Sequence, residues 1–190
     1  MGRIYMIRHG KPESTWGQGS DTDPGLDATG MAQAEAARDT LLALPAQFRP
    51  TAVMSSPLRR CRETADPTAR ALGVEAIIDP VFGEIATPAN VSHDDRSAWL
   101  RTAFAGRWSE IVGDIDYEAW RRDILAALTL REGTAVFSHY VAINAAVSLL
   151  TGSDKVLTFK PDHASITTFE VRDGVLHLCE AGREAVTGVL

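Results

Sequence analysis

The chain has only two cysteines, Cys61 and Cys179, among its 190 residues. Neither lies in a C-x-x-C or Cys/His pattern, so no zinc site is expected. Two free thiols in a reducing compartment is the default reading. Positive charge is also in short supply. The 19 Lys and Arg against 25 Asp and Glu leave a formal net charge of -6, which gives no reason to expect nucleic acid or an anionic membrane as a partner. An anionic ligand would need positive charge gathered locally against the overall sign. Long apolar runs are missing as well. The best, Val141 to Leu150, is broken by Asn144 and Ser148 and falls far short of a membrane span. The first residues run directly into Arg3-Ile4-Tyr5-Met6-Ile7-Arg8 without an apolar signal region, so a cytoplasmic location is expected. Internal repeats and low-complexity segments are absent.

What is present is an ordinary globular balance, 45% hydrophobic and 23% charged, on a chain long enough for one domain with a sizeable core. A single domain over residues 1–190 is the expectation. Ile4 to Ile7 reads as a buried strand and Gly10 to Asp27 as a polar loop. Asp27 is a plausible cap for a helix from Ala28 to about Leu44. Ala52 to Ser55 reads as a second strand. Ser56-Pro57 looks like a helix start, with Leu58, Cys61, Ala65, Ala69 and Leu72 at helical spacing and Gly73 at the end. Glu75 to Ile78 is expected as a third strand. Residues from about 80 to 130 form an irregular and helical region that would cover a pocket, least regular between Pro88 and Gly113 and helical from Asp116 to Leu130. Thr134 to Phe137 is a fourth strand, followed by a buried helix from Val141 to Leu150. Ser165 to Val171 and Val175 to Leu178 flank Asp173-Gly174, a hairpin signature. The pattern predicts an α/β fold: a three-layer sandwich whose largely parallel central sheet has helices on both faces and a C-terminal antiparallel hairpin.

In such sheets ligands sit at the carboxyl ends of the strands. Three polar groups fall there: Arg8-His9-Gly10, then Ser55-Ser56-Pro57 leading to Arg59, Arg60 and Arg62, then Ser138-His139 before a helix N-terminus. Two imidazoles and at least one guanidinium can therefore converge with backbone N–H donors. A guanidinium grips phosphate oxygens in pairs, a neutral imidazole can attack phosphorus, and a protonated one can stabilise charge on the equatorial oxygens.

These residues resemble the histidine phosphatase superfamily, which includes the cofactor-dependent phosphoglycerate mutases. Ile7-Arg8-His9-Gly10 is similar to its RHG signature. Leu26-Asp27-Ala28-Thr29-Gly30-Met31-Ala32-Gln33-Ala34 resembles L-T-x-x-G-x-x-Q-A. Ser55-Ser56-Pro57-Leu58-Arg59-Arg60-Cys61-Arg62-Glu63-Thr64-Ala65 resembles S-S-P-L-x-R-A-x-Q-T-A. Ala135-Val136-Phe137-Ser138-His139 resembles the strand that ends in S-H-G. Four segments in order carry far more weight than one tripeptide. The resemblance implies a phosphoglycerate mutase-like fold, His9 as the phosphorylated histidine, Arg8 and Arg60 as phosphate-binding arginines, and His139 as the second pocket histidine. It implies Glu84 as proton donor to the leaving oxygen, with Asp21 and Asp23 as the next candidates. Three departures stand out: Lys11-Pro12-Glu13 follows RHG, Ile85-Ala86-Thr87-Pro88 stands in place of G-x-W-E-G, and Tyr140 replaces the usual glycine, where it could narrow the pocket or offer its hydroxyl to substrate.

Other groups have plainer readings. Arg59 and Arg62 fit a solvated helix face. His93, Arg96, Arg101, Arg107 and Trp108 fit a charged surface with a few aromatic anchors. His163 falls where the family often carries a polar residue at the pocket edge, and His177 reads as structural. The resemblance therefore implies a metal-independent phosphomonoesterase without a cofactor, acting on a small phosphorylated metabolite. A phosphoglycerate mutase and a non-catalytic phospholigand-binding protein are the alternatives. Chain length favours the phosphatase over the mutase, whose relatives generally carry a further insertion. The oligomeric state is left open, a homodimer among the options.

Overall fold

The alternation of apolar residues in the first strand sets the layers. In β1 (Arg3–Arg8), Ile4 and Met6 face one side of the sheet and Tyr5 and Ile7 the other, and all four are buried. Both faces must therefore be covered. A computed structural model describes residues 2–13, 23–92 and 94–186 and carries one six-stranded sheet in the order β3-β2-β4-β1-β5-β6. Here β2 is Ala52–Ser55, β3 Ile77–Ile78, β4 Thr134–Ser138, β5 Ile166–Arg172 and β6 Val175–Glu180. β1 to β4 run parallel, and β5 and β6 add the antiparallel edge. The expected fold class is the observed one.

Tyr5, Ile7, Val53, Ala135 and Phe137 pack against α1 (Ala28–Leu42) and α2 (Arg59–Leu72). Ile4, Met6, Met54 and Val136 pack against the other layer, built from α3 (Arg96–Ala105), α4 (Tyr117–Thr129) and α5 (Tyr140–Leu150). Asp27 caps α1 by accepting from Gly30 N at 2.7 Å, and Gly73 ends α2 at φ 68°. The hairpin turn holds Asp173 and Gly174 both at positive φ, as its two-residue loop requires. No helix among the described residues is long and apolar enough to cross a membrane.

Two local readings change. α2 begins at Arg59, not at Ser56-Pro57. Its first free N–H, that of Arg59, is taken by the carboxylate of Asp23 at 2.9 and 3.0 Å, while the Ser56 hydroxyl is turned to His139. The third strand shrinks to Ile77–Ile78, with both side chains exposed at the sheet edge. In the least regular part, Arg96–Ala105 is a helix, and Trp108 is an anchor indeed: it is buried and donates from Nε1 to Ser148 Oγ at 3.0 Å.

Candidate active site

The parallel strand ends are stitched together by backbone. His9 N donates to Ser138 O at 3.0 Å and Ser56 N to Phe137 O at 2.9 Å, so the tips of β1, β2 and β4 lie side by side. The turn after His9 is held by Thr64 of α2, whose hydroxyl accepts from Gly10 N at 2.9 Å and donates to Arg60 O at 2.6 Å. A side chain at Gly10 would meet Gly30 O at 2.6 Å, and one at Gly30 would meet Lys11 O at 2.1 Å. The two glycines let α1 press directly against the segment that presents His9.

His9 is buried, and its Nδ1 lies 2.8 Å from Gly10 O. A carbonyl only accepts, so Nδ1 carries the proton and Nε2 keeps its lone pair. Burial, reinforced by the positive charges of Arg60 and Arg8, holds the ring well below the ordinary histidine pKa. The ring is thus neutral and oriented at neutral pH.

His139 stands beside it, with ring centroids 5.4 Å apart. Its Nδ1 is 3.3 Å from Arg60 Nη2 and 3.4 Å from Glu84 Oε2. A guanidinium has no acceptor, so Nδ1 accepts and Nε2–H donates to Ser56 Oγ at 2.7 Å. Burial and then Arg60, Arg8 and Arg96 hold this ring neutral too. The protonated second imidazole foreseen from the residue types is therefore not its state without an anion in the site. The ring makes no capping hydrogen bond to α5, although it occupies the cap position.

Arg60 is 5% exposed and reaches Glu84 Oε2 at 3.7 Å and Asp23 Oδ1 at 3.9 Å. Glu84 follows a 3-10 turn, Pro80–Phe82, that is pinned to the sheet by Ser138 Oγ donating to Phe82 O at 2.7 Å. Burial raises the Glu84 pKa, opposed by Arg60, Arg96 and Arg8. Its Oε1 accepts from Ile85 N at 3.1 Å. Arg8 donates to Pro161 O at 3.0 Å and lies 4.9 Å over the ring of Tyr140, and burial lowers its pKa to about 10. The Tyr140 ring also meets Phe104 of α3 at 5.8 Å.

The structure thus brings Arg8, His9, Arg60, Glu84 and His139 into one buried cluster with Tyr140 at its border. Asp23 touches Arg60, while Asp21 and His93 lie outside the described residues. Arg59 pairs with Glu63 at 2.7 Å on the exposed face of α2, and Arg62 is exposed. Arg101 and Arg107 are on the surface, and His177 is exposed on β6 of the hairpin. His163 lies 5.9 Å from His9 between ring centroids, and burial followed by Arg8 lowers its pKa to about 4. Ala164 beside it sits at φ 53° and donates its N–H to Arg8 O at 3.1 Å, which fixes this loop against the strand end.

A family model described as the histidine phosphatase superfamily (branch 1) matches residues 4–181. The chain belongs to this superfamily. Uncharacterized protein Rv0525 of Mycobacterium tuberculosis is 34% identical over 125 residues, covering 60% of each chain, so the match spans well under two thirds of that relative's length. Among solved structures, Entamoeba histolytica phosphoserine phosphatase in complex with 3-phosphoglyceric acid has a TM-score of 0.75 at 20% identity, with 98% of each chain covered. The mycobacterial glucosyl-3-phosphoglycerate phosphatase Rv2419c has a TM-score of 0.68 at 22% identity, with 88% of this chain and 89% of that one covered. At these identities the structures speak for the fold.

Several residues of the cluster were not singled out from sequence. Ser56 was read as a helix start and as one of a polar group at a strand end, without a role of its own, and Thr64 only as part of a matching segment. Cys61 places Sγ 3.4 Å from His139 Nε2, and burial pushes its thiol far up. Arg96 was indistinguishable from surface charge. The signal for Ser56 was its place at a strand end, one residue past the strand and next to the helix that carries Arg60.

Proposed function

We propose that this chain is a phosphomonoesterase that works through a phosphohistidine on His9. The observation that carries the reading is the Nδ1–H of His9 held on Gly10 O, which leaves a neutral Nε2 free for attack beside two buried arginines. Arg8 and Arg60 bind the phosphate oxygens. His9 Nε2 forms a bond to phosphorus as the bond to the leaving oxygen breaks. Glu84, whose proton affinity burial raises, gives its proton to that oxygen and the alcohol departs. The same carboxylate then takes a proton from water as the water attacks the phosphohistidine, which returns neutral His9 and inorganic phosphate. A bound phosphate dianion beside His139 raises the affinity of Nδ1 for a proton, turning it from acceptor to donor toward the transferring group.

Positive charge comes from the arginines, so no metal is required and EDTA should leave activity intact. The substrate is a small phosphorylated metabolite. Phosphoserine and glucosyl-3-phosphoglycerate, after which the similar structures are named, belong in the first panel of phosphomonoesters. Rapid quench with a 32P-labelled aryl phosphate should yield an acid-labile, alkali-stable phosphoprotein that is absent in His9→Ala. Turnover without any such species, or full activity in His9→Ala, would sink the mechanism. Isomer formation in place of inorganic phosphate would make the chain a mutase.

A further inference from the structure

The segment that carries Glu84 is tied down at three carbonyls, those of Phe82, Ile85 and Ala86, by different layers of the fold. Ser138 of β4 holds Phe82 O. Arg96, the first residue of α3, donates from Nη2 to Ile85 O at 3.2 Å. Tyr117, the first residue of α4, donates to Ala86 O at 2.8 Å. Two of the three ties come from the covering helices and flank the peptide next to the carboxyl. α3 meets the cluster near both its ends, at Ile85 through Arg96 and at Tyr140 through Phe104.

We infer that Arg96 is a positioning residue for Glu84, fixing its loop through Ile85 O and setting a positive charge beside it from the helix that covers the site. The inference rests on the reading of Glu84 as the proton donor. Its physical content is a balance of charges around one buried carboxyl. The groups that face Glu84 are Arg60 and Cys61 from α2, His139 at the end of β4, Arg8 from β1 and Arg96 from α3, with Tyr117 of α4 beside Arg96. Arg60 is shared with His139 and Asp23 and must also bind phosphate. Arg96 bonds to the Glu84 loop itself, so its charge acts on Glu84 whether or not phosphate occupies Arg60. A donor must hold its proton at rest yet release it in the transition state, and burial alone would make release too hard. Arg96 offsets that burial without entering the phosphate grip.

The test is the pH profile of kcat/KM for Arg96→Gln and Arg96→Lys on an alkyl phosphate, with Glu84→Gln alongside. The basic limb reports loss of the proton from the donor in the free enzyme. In R96Q it should move to higher pH by about one unit, the scale of one nearby charge, with kcat reduced. R96K, which keeps the charge, should hold the limb close to wild type. Arg96→Met, with the same loss of charge, is read in place of R96Q should that variant not fold. A limb that stays put in R96Q overturns the inference, whatever happens to the rate, because a helix-packing role lowers activity without moving a titration. A limb that persists in E84Q overturns the assignment of Glu84 itself; a limb lost in E84Q but unmoved in R96Q overturns only the role of Arg96.

Discussion

Replacing Thr64 with valine removes one hydroxyl from the joint between the segments that carry His9 and Arg60 and leaves the shape of the core intact. Thr64 is fully buried. Its Oγ1 is the acceptor for Gly10 N at 2.9 Å and donates to Arg60 O at 2.6 Å. Valine fills the same volume, so no cavity term arises. The Arg60 carbonyl keeps its place in the helical ladder, so its loss is small. The Gly10 N–H, by contrast, is left buried without a partner, a loss of about 1–3 kcal/mol. For a chain of this size each kcal/mol lowers Tm by roughly 2–4 °C, so the variant should melt roughly 2–12 °C below wild type. In urea the midpoint should fall while the slope stays unchanged, since the surface exposed on unfolding is the same. The Gly10 carbonyl belongs to the residue that loses its tether, and it is what fixes the His9 tautomer. kcat/KM on an aryl phosphate should therefore drop about 10-fold, the scale of ~1.4 kcal/mol. A T64V protein with wild-type midpoint and wild-type kcat/KM would refute the account of how the two segments are joined.

Gly30→Ala should be destabilised by at least about 1–3 kcal/mol in the same urea assay, because its Cβ would lie 2.1 Å from the Lys11 carbonyl oxygen and neither backbone can give way. Inorganic phosphate at about 100 times its Kd should stabilise the wild type by ~2.7 kcal/mol, and Arg60→Ala should lose most of that shift in a thermal melt. His9, His139 and His163 all have folded-state pKa values below the ordinary histidine value of about 6.5, so the unfolded chain binds more protons on the acid side; stability is full above that value and should fall as pH drops below it, seen as a Tm that declines from about pH 7 to about pH 5. Of the two unpaired cysteines, Cys179 is exposed and Cys61 is buried with its thiol pushed up, so a thiol reagent should titrate one group in the native protein and two after unfolding.

The sheet was legible because its strands are short apolar runs bounded by turn residues, and β1 alternates between two covered faces. The edge strand was overestimated because Glu75 to Ile78 has apolar content without a partner to extend it. The start of α2 was misplaced for a different reason. Ser56-Pro57 satisfies the local rule for a helix cap, but Asp23, 33 positions earlier than Ser56, supplies the carboxylate to Arg59 N, and no local pattern reports a contact across that distance. Arg8, His9 and His139 could be picked out because they sit at strand ends with matching flanks, and Arg60 because it stands in the first turn of the helix that follows such an end in a matching segment. Arg96 could not, since a helix-start arginine looks the same whether it faces water or Ile85 O.

On the proposed mechanism, the cluster also explains how a protein of net charge -6 would bind phosphate without a protonated imidazole at rest. Arg8 and Arg60 are buried to 6% and 5% exposure, and their charges are among the causes that keep His9 and His139 neutral. Arg8 holds its charge here, because burial lowers its pKa only to about 10. On the proposed mechanism, binding and attack are divided between residue types: the arginines would hold the anion, and their field keeps the neighbouring imidazole unprotonated and able to attack. Lysine at either position would blur that division, since an ammonium gives up its proton on burial far more readily than a guanidinium and lacks its paired donors. Arg60→Lys should then weaken both phosphate binding and the rate of His9 phosphorylation, measured separately by thermal shift with phosphate and by rapid quench. A variant that loses binding but phosphorylates His9 at the wild-type rate at saturation would show that the arginine serves the grip alone.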